Sequence, residues 1–174
     1  MPPQLYFFVS IAFAFIAWGI VVRRYAWPKL RSLPRAAALR PILILHSFRF
    51  VGLAFVVPGV VSPDLPSAFA NPAAYGDIVA ATLALVALAT LRTRMGFAIA
   101  WMFNLWGSFD LLSAFYHGGM AGMMPGQLGA AYFIPTFLVP LMLITHALAF
   151  RILLLNADRD RVAVYGEGKS AAAM

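Results

Sequence analysis

The chain has 174 residues, of which 63% are hydrophobic and only 11% charged, and its mean hydropathy is +0.85. A soluble domain carries about a quarter charged residues, so the composition excludes an ordinary globular domain and points to an all-α integral membrane protein. The net charge of +7 raises nucleic acid as a partner, and the absence of cysteine rules out disulfides, thiolate metal sites and iron–sulfur clusters.

Five apolar runs follow one another. The first, residues 5–22, is long enough to span a bilayer at about 1.5 Å per residue. No basic residue precedes it and Arg23 and Arg24 follow it. A secretory signal has the reverse order, so this run is expected to remain as a helix with its N-terminus outside. The second, residues 41–61, carries His46 and Arg49 in its middle. The third, residues 75–91, opens on Asp77, read as a carboxylate favoured by the helix N-terminal dipole. The fourth, residues 95–117, contains Asn104, Asp110 and His117, and the fifth, residues 132–153, contains Pro135, Pro140 and His146. Together they form one five-span transmembrane domain over residues 1–155, with residues 156–174 expected as a disordered cytoplasmic tail.

The basic residues orient this bundle. Arg23, Arg24, Lys29, Arg31, Arg35 and Arg40 follow span one; Arg92 and Arg94 separate spans three and four; Arg151, Arg159, Arg161 and Lys169 close the chain. If the spans alternate, twelve of the thirteen basic residues fall on one side, while segments 1–4, 62–74 and 118–131 have none. The positive-inside rule then puts the N-terminus outside and the C-terminus in the cytoplasm of a bacterial-type inner membrane. Such charge anchors the chain to a lipid bilayer, and nucleic acid is excluded as its partner. The exception is Arg49.

Ionisable residues within spans are costly and mark function by default. His46 lies six residues from Arg40, about 9 Å deep, and His146 lies five before Arg151, about 7–8 Å deep. Two imidazoles at one depth on different helices suit axial metal ligation of haem b, with Phe48, Phe50 and Phe150 as walls; hydrogen bonding between helices is the plainer alternative. Arg49, about 13 Å deep, shares a helical face with His46 and needs a counter-ion, for which Asp110 is the natural choice. Alternatively, Arg49 and Asn104 hydrogen-bond the carbonyls of a quinone or an anionic substrate. Asp110 and His117, two turns apart on one face, suggest a proton path. His117, Met120, Met123 and Met124 combine imidazole and thioethers, which suits copper as Cu(I); a flexible outer loop whose methionines touch lipid or a partner is the favoured explanation.

No phosphate-binding loop, zinc-protease motif or serine elbow occurs. The leading expectation is a small membrane redox protein or oxidoreductase that binds haem b, exchanges electrons with quinone and holds copper at the outer cluster. The alternative is a proton or anion transporter or channel using Arg49, Asp110 and His117, or a structural subunit. Either would act as a homo-oligomer or within a membrane complex.

Overall fold

A computed structural model describes the backbone of residues 2–171 and the side chains of residues 2–155. Among these residues the fold is entirely helical. Helix α1 (Pro3–Val21), a π turn (Val22–Ala26) and α2 (Trp27–Leu30) run as one rod. Helix α3 (Arg35–Ser47) passes directly into a 3-10 helix (Phe48–Val56). Helices α4 (Ser67–Thr90) and α5 (Arg94–Met120) are joined by a tight turn. A short 3-10 helix (Pro125–Tyr132) and a π turn (Ile134–Leu138) then lead into α6 (Val139–Ala171).

Four of these stretches are long and apolar enough to cross a membrane: Pro3–Leu30, Arg35–Val56, Ser67–Thr90 and Ile134–Leu155. Helix α5, at 27 residues, has the length but is less apolar, because it carries Asn104, Gly107, Ser108 and Asp110. Asn104, Gly107 and Asp110 face the protein interior, where α5 packs along α4 and α6.

The observed bounds differ from those read in the sequence at instructive places. The second span ends its α-helix at Ser47 and continues with three residues per turn. The third begins at Ser67, eight residues before the expected start at 75, and absorbs Pro72. A proline near a helix start frees a carbonyl without stopping the helix, so Asp77 sits inside α4 and not at its end. The backbone of α6 continues as helix to Ala171, through most of the segment expected to be disordered, and residues 172–174 lie outside the described residues.

The rod formed by α1 and α2 is peripheral. Only 11% of its most apolar window is buried, and it leans on α6 and the π turn before it. Its polar ties there are Trp18 Nε1 donating to Phe137 O (3.1 Å) and Ser10 Oγ meeting the Tyr132 hydroxyl (3.4 Å). Two apolar clusters fill the bundle. One joins Leu39, Ile42 and Leu43 to Ala84, Ala87, Phe103, Ile152 and Leu153, at the end bearing the basic residues. The other joins Phe7, Phe55, Phe69, Ala74, Leu128 and Ile134, at the end bearing the N-terminus. There the connecting loops are tied by backbone bonds from Ser62 N to Gln127 O (2.9 Å) and Ala130 N to Val60 O (3.0 Å). Gly129 has a φ of 51°, and a β-carbon there would collide with the Val60 carbonyl, so this crossing admits no side chain.

Candidate functional site: a buried Arg49 centre

Between the two apolar clusters lies a polar layer. The 3-10 geometry sets it up. In a helix with three residues per turn, positions three apart eclipse one another, so Arg49, Gly52 and Phe55 form one buried line that continues the buried face of α3 at Leu43 and His46. An α-helical continuation would rotate Arg49 progressively away from that line.

Arg49 is 4% exposed and reaches three other helices. Its Nε donates to Asp77 Oδ1 on α4 (2.6 Å) and its Nη2 to Asp110 Oδ2 on α5 (2.5 Å). Its Nη1 donates to the Gly107 carbonyl (3.2 Å) and faces His146 Nε2 on α6 (3.5 Å). The guanidinium thus uses its planar fork to bind two carboxylates at once, which a lysine could not do.

Each charged group is accommodated by a glycine on a neighbouring helix. A β-carbon on Gly52 would collide with the Asp77 carboxylate, one on Gly76 with that of Asp110, and one on Gly107 with the His146 ring and the Arg49 guanidinium. Small residues let membrane helices approach closely. Here they also make room for ions.

The histidines form a second tier. His146 Nδ1 donates to Asn104 Oδ1 (2.7 Å), while Asn104 Nδ2 donates to the His146 carbonyl (3.3 Å). This reciprocal pair leaves Nε2 as the acceptor turned toward Arg49. His46 Nε2 donates to Thr145 Oγ1 (2.9 Å), whose own hydroxyl hydrogen goes to the Leu141 carbonyl (2.9 Å). His46 Nδ1 is buried without a partner. The two imidazoles are in contact with their planes inclined by 53°, 4.2 Å between centroids, with Phe103 5.0 and 5.1 Å from them.

The structure therefore brings together His46, His146, Arg49, Asn104 and Asp110, all singled out in the sequence. It pairs Arg49 with Asp110 and adds Asp77, which the sequence reading had assigned to a helix start. The signal for Asp77 was its neighbour Gly76, since a Gly-Asp pair inside an apolar run suits a close helix contact better than a helix end.

The use of these residues also differs. Asn104 hydrogen-bonds His146, which in turn faces Arg49. An iron held by both imidazoles needs ligating nitrogens on opposite sides of a porphyrin, each about 2 Å from the metal. Here the two rings are in direct contact, and three of their four nitrogens face partners.

His117 is exposed at the end of α5 with Nδ1 on the Ser113 carbonyl (2.8 Å). Met120 is exposed, Met123 lines a cavity, and the Met124 sulfur accepts from Gln4 (3.4 Å). Each member of the expected copper cluster thus has a separate environment.

Two cavities flank the Arg49 centre. The first, about 210 Å³, runs from Gln4, Gly119 and Met123 at the N-terminal end of the bundle down to Asp77 and Asp110. Phe7, Phe8, Phe55, Phe69 and Phe115 wall it. The second, about 240 Å³, lies between the 3-10 helix and α6 and touches both Arg49 and Asp77. Asp77, Leu111, Ile134 and Val139 line both. The apolar cluster at the basic end closes the layer from the other side.

Arg49 is one positive charge against two carboxylates, so the fully ionised centre carries one negative charge in excess. In a low-dielectric interior that charge calls for a proton or another cation. No curated protein and no solved structure matches the chain. Residues 6–154 match a family model, and the chain belongs to that family, described as "Domain of unknown function (DUF8737)".

Proposed function

We propose that this is a five-span inner-membrane protein, N-terminus outside, that takes up protons from the outer side at the Arg49–Asp77–Asp110 centre and passes them across the membrane. One observation carries the reading: a buried guanidinium bridges two carboxylates at the closed end of a cavity that reaches the N-terminal end of the bundle. A membrane-embedded acid with one excess negative charge is what a proton relay requires. Beyond Arg49, His146 and then His46 continue toward the basic end, His146 with Nε2 facing Arg49 and His46 with Nδ1 free to accept a proton. The fifth crossing is supplied by α5, whose 27 residues extend about 40 Å, and the positive-inside pattern supplies the orientation.

The test uses purified protein in phosphatidylcholine liposomes loaded with a pH-sensitive dye, driven by a valinomycin-set potassium potential. Proton flux above that of protein-free liposomes is expected, falling about tenfold or more in Asp110→Asn, about the weight of one general acid–base group. Flux no greater than in empty liposomes overturns the proposal. An electron-transfer role makes the opposite spectroscopic prediction. Protein purified from haem-replete cells is expected to lack a Soret band. A band lost in both His46→Ala and His146→Ala would replace proton transfer with haem chemistry.

A further inference from the structure

The first cavity is more selective than a proton entry needs to be. A water-filled polar funnel would deliver protons, yet this one is walled by five phenylalanines, with Leu111, Ile134 and Val139 beside the centre. Among the described residues its ionisable lining groups are Asp77 and Asp110, with no Lys, Arg or His beside them. Arg49 lies behind the carboxylates and shows itself to the second cavity, where it balances Asp77. One cavity thus presents net negative charge at an aromatic floor, and the other presents a neutralised pair. Aromatic faces and a nearby carboxylate attract the same class of ligand, a weakly hydrated cation on an apolar body.

We propose that the first cavity binds a small organic cation, an aryl- or alkyl-substituted ammonium, with its charge at Asp110 and Asp77 and its apolar part among Phe7, Phe55, Phe69 and Phe115. The inference deepens the proton reading and rests on it in one respect: cation and proton answer the same excess negative charge, so the two compete. The remaining argument is independent of transport. An anion would meet two carboxylates. A neutral apolar molecule would leave the excess charge of the centre unanswered.

The probe is benzyltrimethylammonium, whose permanent charge separates cation binding from proton exchange. Its neutral isostere, neopentylbenzene, matches it in shape. Binding to the full chain in nanodiscs, measured by saturation-transfer NMR, is expected to favour the ammonium by about tenfold or more. Asp110→Asn, with its fold checked by circular dichroism, is expected to bring that ratio close to one. Ala114→Leu adds bulk to the cavity wall one helical turn from Asp110 while leaving both carboxylates in place and is expected to weaken both ligands. Equal binding of ammonium and isostere overturns the proposal, as does preferred binding of a neutral quinone such as duroquinone. If Asp110→Asn does not fold, undiminished ammonium binding to Ala114→Leu also overturns it. Proton flux without cation preference defeats this inference alone, whereas cation preference without flux defeats the proton reading alone.

Discussion

The two ends of the bundle are built on opposite plans. At the basic end, alanines on α4 and α5 let leucines of α3 and α6 interdigitate, and Leu39, Leu43, Leu91, Phe103 and Leu153 are each 2% exposed or less. At the N-terminal end the core is aromatic, hollow, and interrupted by a cavity that reaches two carboxylates. The polar layer sits where the plans meet. The hollow half leaves a cavity that reaches Asp77 and Asp110, while close apolar packing lies beyond the histidines. A protein whose buried charges merely paired helices would not need this asymmetry, because an ion pair is best protected when both sides are packed.

The contrast can be broken most severely at Arg49. Arg49→Met leaves two carboxylates buried without a partner and is expected to cost about 3–5 kcal/mol, read as a shift of the unfolding midpoint in mixed micelles. Adding Asp77→Asn and Asp110→Asn to that variant removes the stranded charges and should recover most of the loss. A triple variant as unstable as the single one would show that packing around Arg49, and not its charge, holds the layer together.

Next comes the packed half. Leu43→Ala opens a void among close neighbours and is expected to cost about 2–5 kcal/mol. Ala114→Leu in the hollow half places its added carbons in existing space and is expected to cost little or to stabilise slightly. If the two changes cost the same, the halves do not differ in packing as described.

The smallest effects separate glycines that hold the layer from glycines that do not. Gly107→Ala drives a methyl group into the His146 ring and the Arg49 guanidinium and is expected to cost about 1–3 kcal/mol. Gly119→Ala, at the cavity mouth, meets nothing within 4 Å and should stay within about 0.5 kcal/mol of the parent. A Gly107→Ala variant as stable as Gly119→Ala would mean that the polar layer can shift to make room.

Much of this centre was legible from residue type alone. Arg49 broke the positive-inside pattern, Asp110 was the only acid deep in an expected span, and His46 and His146 matched in depth by counting from Arg40 and Arg151. Those inferences rest on the cost of burying charge and on helical rise, both local properties. Asp77 was misread because the apolar run before it is interrupted by Asn71 and Pro72, which look like a boundary to composition; the chain nonetheless continues as helix from Ser67. The contact between the two imidazoles was hidden for a related reason. Equal depth brings two rings to one level, but whether they oppose across a gap or touch depends on how closely α3 and α6 approach.

The sequence by itself determined an all-helical chain of apolar runs with a few ions that must find one another, because hydropathy, charge placement and rise per residue are additive along the chain. Only the tertiary structure decided which ions meet and what space surrounds them. The switch to three residues per turn at Phe48 aligned Arg49 with His46, Gly52 and Phe55. Glycines at 52, 76 and 107 let four helices close on the guanidinium. The hollow beside Asp110 is walled by residues that only the fold brings together, Phe7 and Phe8 of α1 with Phe55, Phe69 and Phe115. None of these follows from residue order, because each depends on the distance between elements remote in the chain.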